Sequence, residues 1–267
     1  MFGLEIKIAI PSYKRSTTIA SKTLATLHRE GFLAHDITIF VANQDELRDY
    51  EKNVPRNLYN SLVVGTLGIA KQRNFISRFY PEGTCIVCID DDIRGFRIYQ
   101  NTLLHIPTLF QDLFYFCFRN NTHLWGLYPA SNNLFFKPRI KLGLHLICGS
   151  CYGFINNHSL QCDETLVCKE DYSLSFEVYR HSQTLVRAEF ISPLTAYWKT
   201  KGGLQGIRND DNERESSLQL FHKYPELVQE VYTKKNGKPD LRLVRSVPKN
   251  FHPVVIVGTD GFYRTVF

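Results

Sequence analysis

No stretch of this sequence approaches the ~20 consecutive apolar residues that a membrane-spanning helix needs. The opening residues, MFGLEIKIAIPSYKR, lack the basic start, apolar centre and small-residue cleavage site of a secretory signal. Internal repeats, low-complexity tracts and a linker that would cut the chain are missing too. Together these absences point to a soluble, cytoplasmic protein built around one principal domain, with a monomer as the simplest expectation. An even set of cysteines is also lacking. Seven cysteines without an export signal argue for reduced thiols over a disulfide framework. Two pairs have CxxC spacing, Cys85/Cys88 and Cys148/Cys151, which raises a zinc-binding nucleic-acid module as an alternative. Cys85 and Cys88, however, lie in a β-like apolar run where a three-residue offset sends side chains to opposite faces, so buried small hydrophobes are the better reading.

What is present is ordinary globular composition, 43% hydrophobic and 22% charged over 267 residues, enough for a sizeable core. The 32 Lys and Arg exceed the 26 Asp and Glu by six, a balance compatible with an anionic partner. Basic residues gather in FKPRIKLG (Lys137, Arg139, Lys141), in YWKTKGGLQGIR (Lys199, Lys201, Arg208) and in YTKKNGKPDLRLVR. Two of these segments adjoin aromatics of the kind that stack on bases.

The first half alternates short apolar runs with helical patterns, the signature of βαβ units and a largely parallel sheet. EIKIAIP reads as a strand, then STTIASKTLATLHREG as a helix from Ser16 to a stop at Gly31. DITIFVA, SLVVG and TCIVCID read as the next three strands, with DELRDYEK and GIAKQRNFISRFY as the helices among them. In the second half, IPTLFQDLFYFCFR, KEDYSLSFEVYRHS and NDDNERESSLQLFHKY read as helices, and THLWGLYP, HLICGSCYGFIN and TLVRAEFI as extended. The expected division is one α/β domain over 1–225, its two halves meeting near residue 100, with 226–267 as an extension packed on it.

Ligands of open α/β sheets bind beyond the carboxyl ends of the strands, and three polar segments fall there: PSYKR, ANQDE and the triple aspartate that ends CIVCIDDD. Three adjacent like charges at the end of a buried run repel one another unless something positive sits between them. A hard divalent cation such as Mn or Mg does so, taking two carboxylate ligands and leaving positions for diphosphate oxygens.

These segments resemble the GT-A glycosyltransferases, whose fold is a central, mostly parallel mixed sheet flanked by helices. The likeness lies in IPSYKR, GIAKQRN and the apolar strand running into DDD, in that order. It implies a nucleotide-sugar donor with Pro11, Ser12 and Arg15 near the nucleotide, Asn43 near the base, and Gly68, Lys71, Arg73 and Asn74 beside the diphosphate-sugar. Asp90 and Asp92 would bound the metal site, Asp92 as the preferred direct ligand, with Asp91 between them contacting sugar or nucleotide. The family often carries an acid where this chain has Asn43 and Gln44. KEDY resembles the acidic element that supplies the catalytic base of inverting members, which makes Asp171 the first choice and Glu170 the second. Its place at a helix start favours the ionised carboxylate that a base must be. A late histidine often completes the metal site, and His222 is the candidate named for it, with His252 beside it.

HLWGLYPASNN, LICGSCYGFIN, KEDY and KTKGGLQGIR together are similar to the TET-associated glycosyltransferases of phages and viruses and their base-J-linked relatives. That resemblance implies transfer of a hexose, glucose from UDP-glucose, to the hydroxymethyl group of a modified pyrimidine in DNA, with 5-hydroxymethylcytosine favoured. It also implies a phage or viral origin with action in the host cytoplasm, and a loop carrying Gly202, Gly203 and Arg208 that closes over diphosphate or DNA. A glycan or protein acceptor, or a sugar-phosphate nucleotidyltransferase, would keep the metal site and differ in the second half.

Overall fold

A computed structural model describes residues 4–101, 103–195 and 209–245, and the backbone of 254–257 and 263–266. The first half carries strands β1 (Ile6–Pro11), β2 (Ile37–Val41), β3 (Ser61–Val64) and β4 (Cys85–Ile89). Helices α1 (Ala25–Arg29, entered through a π-helical turn at Ala20–Leu24), α2 (Gln44–Asn53) and α3 (Ile69–Phe79) connect them. Next come β5 (Phe96–Ile98), α4 (Ile106–Arg119), β6 (Leu124–Leu127), β7 (Ile140–Gly143), β8 (Cys151–Ile155), α5 (Glu170–Ser182), β9 (Leu185–Ala188) and β10 (Ile191–Pro193). After these lie α6 (Asp210–Lys223), β11 (Val228–Thr233) and β12 (Pro239–Leu243), and the backbone of Val254–Val257 pairs antiparallel with that of Tyr263–Val266.

Eight strands form one sheet in the order β3-β2-β1-β4-β8-β6-β9-β7. The four strands from β3 to β4 run parallel, as βαβ connections require. At β8 the direction reverses, and β6, β9 and β7 continue as a mixed half. β4 is thus a central strand, which is why CIVCI is buried on both faces.

Side chains alternate across this sheet and build two cores. Ile8, Ile10, Val87 and Ile89 face α1 and α4, where Leu27, Phe110 and Phe114 pack beneath Trp125. Ala9, Ile86, Cys88, Tyr152 and Phe154 face α3 and α5 on the opposite side. Cys85 belongs to the first core and Cys88 to the second, so the pair does not converge on one ion. The indole of Trp125 lies flat over Gly153 on the neighbouring strand, where a Cβ would stand 2.0 Å from the ring.

A third core joins Tyr172 and Phe176 of α5 to Leu220 and Tyr224 at the end of α6 and to Val228 and Leu241 of the β11–β12 hairpin. Residues of the β11–β12 hairpin and its flanks, from Leu227 to Val244, therefore share packing with the second half. Asn209 caps α6 by accepting from the Asn212 amide, and three acids occupy its first turn, where the helix dipole favours them. Among the described residues no helix is long and apolar enough to cross a membrane.

Candidate active site

The carboxyl ends of β1, β3 and β4 open onto a cavity of about 350 Å³, closed on the far side by the start of α5 and by the β11–β12 hairpin. Of the residues expected near a nucleotide, Pro11, Ser12, Arg15, Gly68, Arg73 and all three aspartates line it, as do Glu170 and Asp171.

The triple aspartate does not present three equivalent carboxylates. Asp91 is buried and accepts from the Ser12 hydroxyl (2.5 Å) and from Arg15 Nη1 (2.6 Å). The Tyr50 hydroxyl accepts from the Arg15 amide (3.1 Å) and sits 2.6 Å from Ser12 Oγ, so the chain turn after β1 is tied to Asp91 through two hydroxyls. Asp92, equally buried, accepts from Thr195 Oγ1 (2.6 Å) and lies 2.9 Å from the same Arg15 nitrogen. Asp90 differs. Its backbone is fixed, the amide donating to Ser150 O (3.0 Å) and the carbonyl accepting from Thr23 (2.7 Å), but 37% of its side chain is exposed to the cavity. Arg73, 3.7 Å away, is its ion-pair partner among the described residues. Burial by the surrounding protein pushes the Asp90 carboxyl up to about 7; Arg73 pulls the other way, and the neighbouring carboxylates add to the rise.

The opposite wall starts at Lys169, a left-handed residue (φ 64°) that turns the chain into α5. Its buried ammonium lies 2.9 Å from Glu213 of α6 and 3.5 Å from Asp240 of β12, and Tyr172 donates to Asp240 (2.8 Å). Glu170 is buried and accepts from Arg73 Nε at 3.1 Å. Asp171 is half-buried, lines the cavity, and accepts from the Gly149 amide (3.2 Å) and the Tyr172 amide (2.9 Å) at the positive end of the helix.

Between the walls Arg73 is fully engaged, since it also donates to Tyr152 (3.2 Å) and to the Gly149 carbonyl (3.0 Å). Gly149 explains the CGSC stretch: a Cβ there would lie 2.5 Å from Arg73 Nη2, so only glycine lets the loop rest on the guanidinium.

Several expected residues are placed elsewhere. Asn43 is exposed, and its side chain caps α2 by accepting from the Glu46 amide (2.9 Å), a strong N-cap preference satisfied locally; its neighbour Ala42 lines the cavity instead. Lys71 is exposed on α3, and Asn74 is buried, holding Cys162 through both backbone groups (2.8 and 2.9 Å); neither lines the cavity. His222 projects from the outer side of α6 beside Phe221, because the inner side of that helix is taken by Glu213, Ser216, Ser217 and Leu220. Gly202, Gly203, Arg208 and His252 lie outside the described residues.

Other contributors were not singled out from the sequence. Gln72, inside GIAKQRN, braces the β3–α3 turn by accepting from the Thr66 amide (2.7 Å), and Thr195, Lys234 and Asp240 line the cavity from distant segments. Gln72 was legible from its motif; the other three depend on tertiary placement.

No protein-family model and no curated protein matches the chain. Solved structures do. It is similar to S. aureus TarS 1–349 in complex with UDP-GlcNAc, with a TM-score of 0.54 and 16% identity over 82% of this chain and 67% of that one. The chain has the GT-A fold. The mannosyltransferase PcManGT from Pyrobaculum calidifontis, in complex with GDP-Man and Mn2+, is also similar, with a TM-score of 0.52 and 10% identity over 85% of this chain and 65% of that one. The chain thus spans about two thirds of the length of these GT-A structures.

Proposed function

We propose that this protein is a metal-dependent, inverting GT-A glycosyltransferase that moves a hexose, glucose from UDP-glucose, to the hydroxymethyl oxygen of a modified pyrimidine in DNA, 5-hydroxymethylcytosine in the first place. The observation that carries the transferase reading is the pairing of an open carboxylate at the end of β4, Asp90, with a second carboxylate at a helix N-terminus across the same cavity, Asp171. TarS with UDP-GlcNAc and PcManGT with GDP-Man and Mn2+ support a nucleotide-sugar and a divalent cation as ligands. The DNA acceptor rests on the motif resemblance together with the basic, aromatic-flanked segments.

The donor set suits a hard cation. Its ligands would be carboxylate oxygens of Asp90 and Asp92, and the four carboxylates of Asp90, Asp91, Asp92 and Glu170 outnumber the two arginines, Arg15 and Arg73, paired with them. Asp90, facing the cavity, is the better direct ligand, with Asp92 held behind it by Arg15 and Thr195. A bound cation would neutralise the charge that builds on the departing diphosphate. Asp171 accepts the proton from the acceptor hydroxyl while that oxygen attacks the anomeric carbon. The bond from that carbon to the diphosphate oxygen breaks from the opposite side, and UDP leaves with the electron pair. Glu170 holds Arg73, and Arg73 in turn holds the Gly149 loop under Asp171.

The test is incubation with UDP-glucose, UDP-GlcNAc or GDP-mannose, Mn or Mg, and DNA containing 5-hydroxymethylcytosine, followed by nucleoside mass analysis. A hexose added to the modified nucleoside is expected. Sugar transfer to a glycan or protein and never to DNA would overturn the acceptor, and pyrophosphate release from a nucleoside triphosphate would overturn the reaction class. Stoichiometric zinc with no transfer would favour the cysteine-based alternative.

A further inference from the structure

On edge strand β7, Ile140 and Leu142 point into the first core, so Arg139 and Lys141 fall on the other face, and exposed Lys137 precedes them across a tight turn in which its carbonyl accepts from the Arg139 amide (2.7 Å). Lys141 lies directly across from Arg187 of β9. The one carboxylate among them is Glu189, buried between Arg139 Nε (2.7 Å) and Arg187 Nη2 (2.8 Å). Four cations thus face one anion, a local excess of three. Burial draws the Lys141 ammonium below its ordinary value against the pull of Glu189, and Arg187, Arg139 and Lys137 draw it further. Just before this row, a short turn exposes Leu134 (88%) and Phe135 (57%) side by side.

The register fixes where this row lies. Ile89 pairs with Cys151, Tyr152 with Gly126, Leu127 with Ala188, and Ala188 with Ile140. Ile140 therefore stands level with Ile89, and Arg139 level with Asp90, at the cavity end of the sheet. Four interstrand steps separate β4 from β7, which at 4.7–4.9 Å each is about 19 Å. A small acceptor does not reach that far, but a polymer does. Arg139 and Lys141, about 7 Å apart along the strand, with Lys137 exposed just ahead of them, match the linear charge of one nucleic-acid strand better than the diffuse surface of a membrane, and the exposed Phe135 offers a base a ring to stack on.

We propose that this rim grips the phosphate backbone of the acceptor DNA and sets Phe135 against its bases, feeding the target nucleotide to the crevice. The inference deepens the transferase reading and rests on DNA being the acceptor. The test is fluorescence anisotropy with a labelled 20-nucleotide DNA, single-stranded and duplex, across a salt series. Lys137→Gln/Lys141→Gln should weaken binding at least tenfold and lower the salt slope by about 1.4–1.8, the share of two phosphate contacts. Phe135→Ala should weaken single-strand binding at least fivefold. UDP binding by calorimetry should be unchanged in both, reporting an intact fold. Unchanged DNA affinity and slope in the double variant would overturn the rim, as would loss of binding to phosphatidylserine vesicles with DNA binding intact. If the variants lose DNA but the wild type adds no hexose to it, the rim stands and the transferase reading falls. If rim variants transfer to DNA with undiminished kcat/KM, the rim falls and the transferase reading stands.

Discussion

The two walls of the cavity solve the same electrostatic problem in parallel ways. On the β4 wall, Arg15 lies against Asp91 and Asp92, while Asp90 beside them faces the cavity. On the α5 wall, Arg73 holds Glu170, while the adjacent Asp171 lines the cavity and is steadied by backbone amides. In each case consecutive acids are divided: a buried arginine lies against some of them, and one faces the cavity. Runs of like charge in a sequence can thus encode two jobs, because neighbouring residues on a turn or helix start point in different directions.

Substitutions should separate the jobs. The largest effect is expected from Asp90→Ala and Asp92→Ala, which should each cut sugar transfer by about 10³-fold or more, the several kcal/mol a cation contributes to a developing diphosphate charge. Turnover assays in Mn check this, and wild-type rates in either variant would remove that residue from the cation site. Asp171→Asn should lower kcat by about 10²–10⁴-fold with UDP-sugar affinity kept, the range for a general base.

Glu170→Gln should act on stability, because it leaves the buried Arg73 without its closest carboxylate. About 3–5 kcal/mol is expected in denaturant titration. Should turnover instead collapse with stability intact, the two acids of α5 exchange roles. Gly149→Ala, which drives a methyl to within 2.5 Å of Arg73 Nη2, should cost about 1–3 kcal/mol by pushing the loop off the guanidinium.

The smallest effect concerns pH. The folded protein holds the Asp90 proton more tightly than the unfolded chain does, from its ordinary 3.8 up to about 7, so stability without metal should fall as pH rises through that window. Asp90→Asn should flatten this slope and melt above the wild type at pH 8, with the advantage gone near pH 4. Added Mn should raise the melting temperature of the wild type and not of the variant. Calorimetry across pH checks both.

Much of the β4 wall was legible in the sequence because local signals dictate it. Alternation placed β1 to β4, the apolar run CIVCI placed a central strand with DDD at its carboxyl end, and PSYKR and ANQDE fell at the ends of β1 and β2. The second half was less legible. The reversal at β8 depends on pairing across more than 50 residues, and in FKPRIKLG the charge masks β7, where Ile140 and Leu142 alternate with the basic residues. The placements of Asn43, Lys71 and Asn74 show a different gap. A residue type was judged by its motif, while its side chain answered to a nearer demand, a helix cap or a backbone latch.

The knot of Lys169 with Glu213 and Asp240 sets an order of events at the ribosome. The aspartates at 90–92 emerge early, within a βαβ array able to pair as it is made. The helix bearing Asp171 gains its hairpin anchors only from residue 240 on, 148 residues after Asp92. At about 5–20 residues per second that is roughly 7–30 s of synthesis. A nascent chain therefore assembles the β4 wall of the cavity well before it completes the α5 wall, and a chain halted short of its hairpin would carry the first without the second.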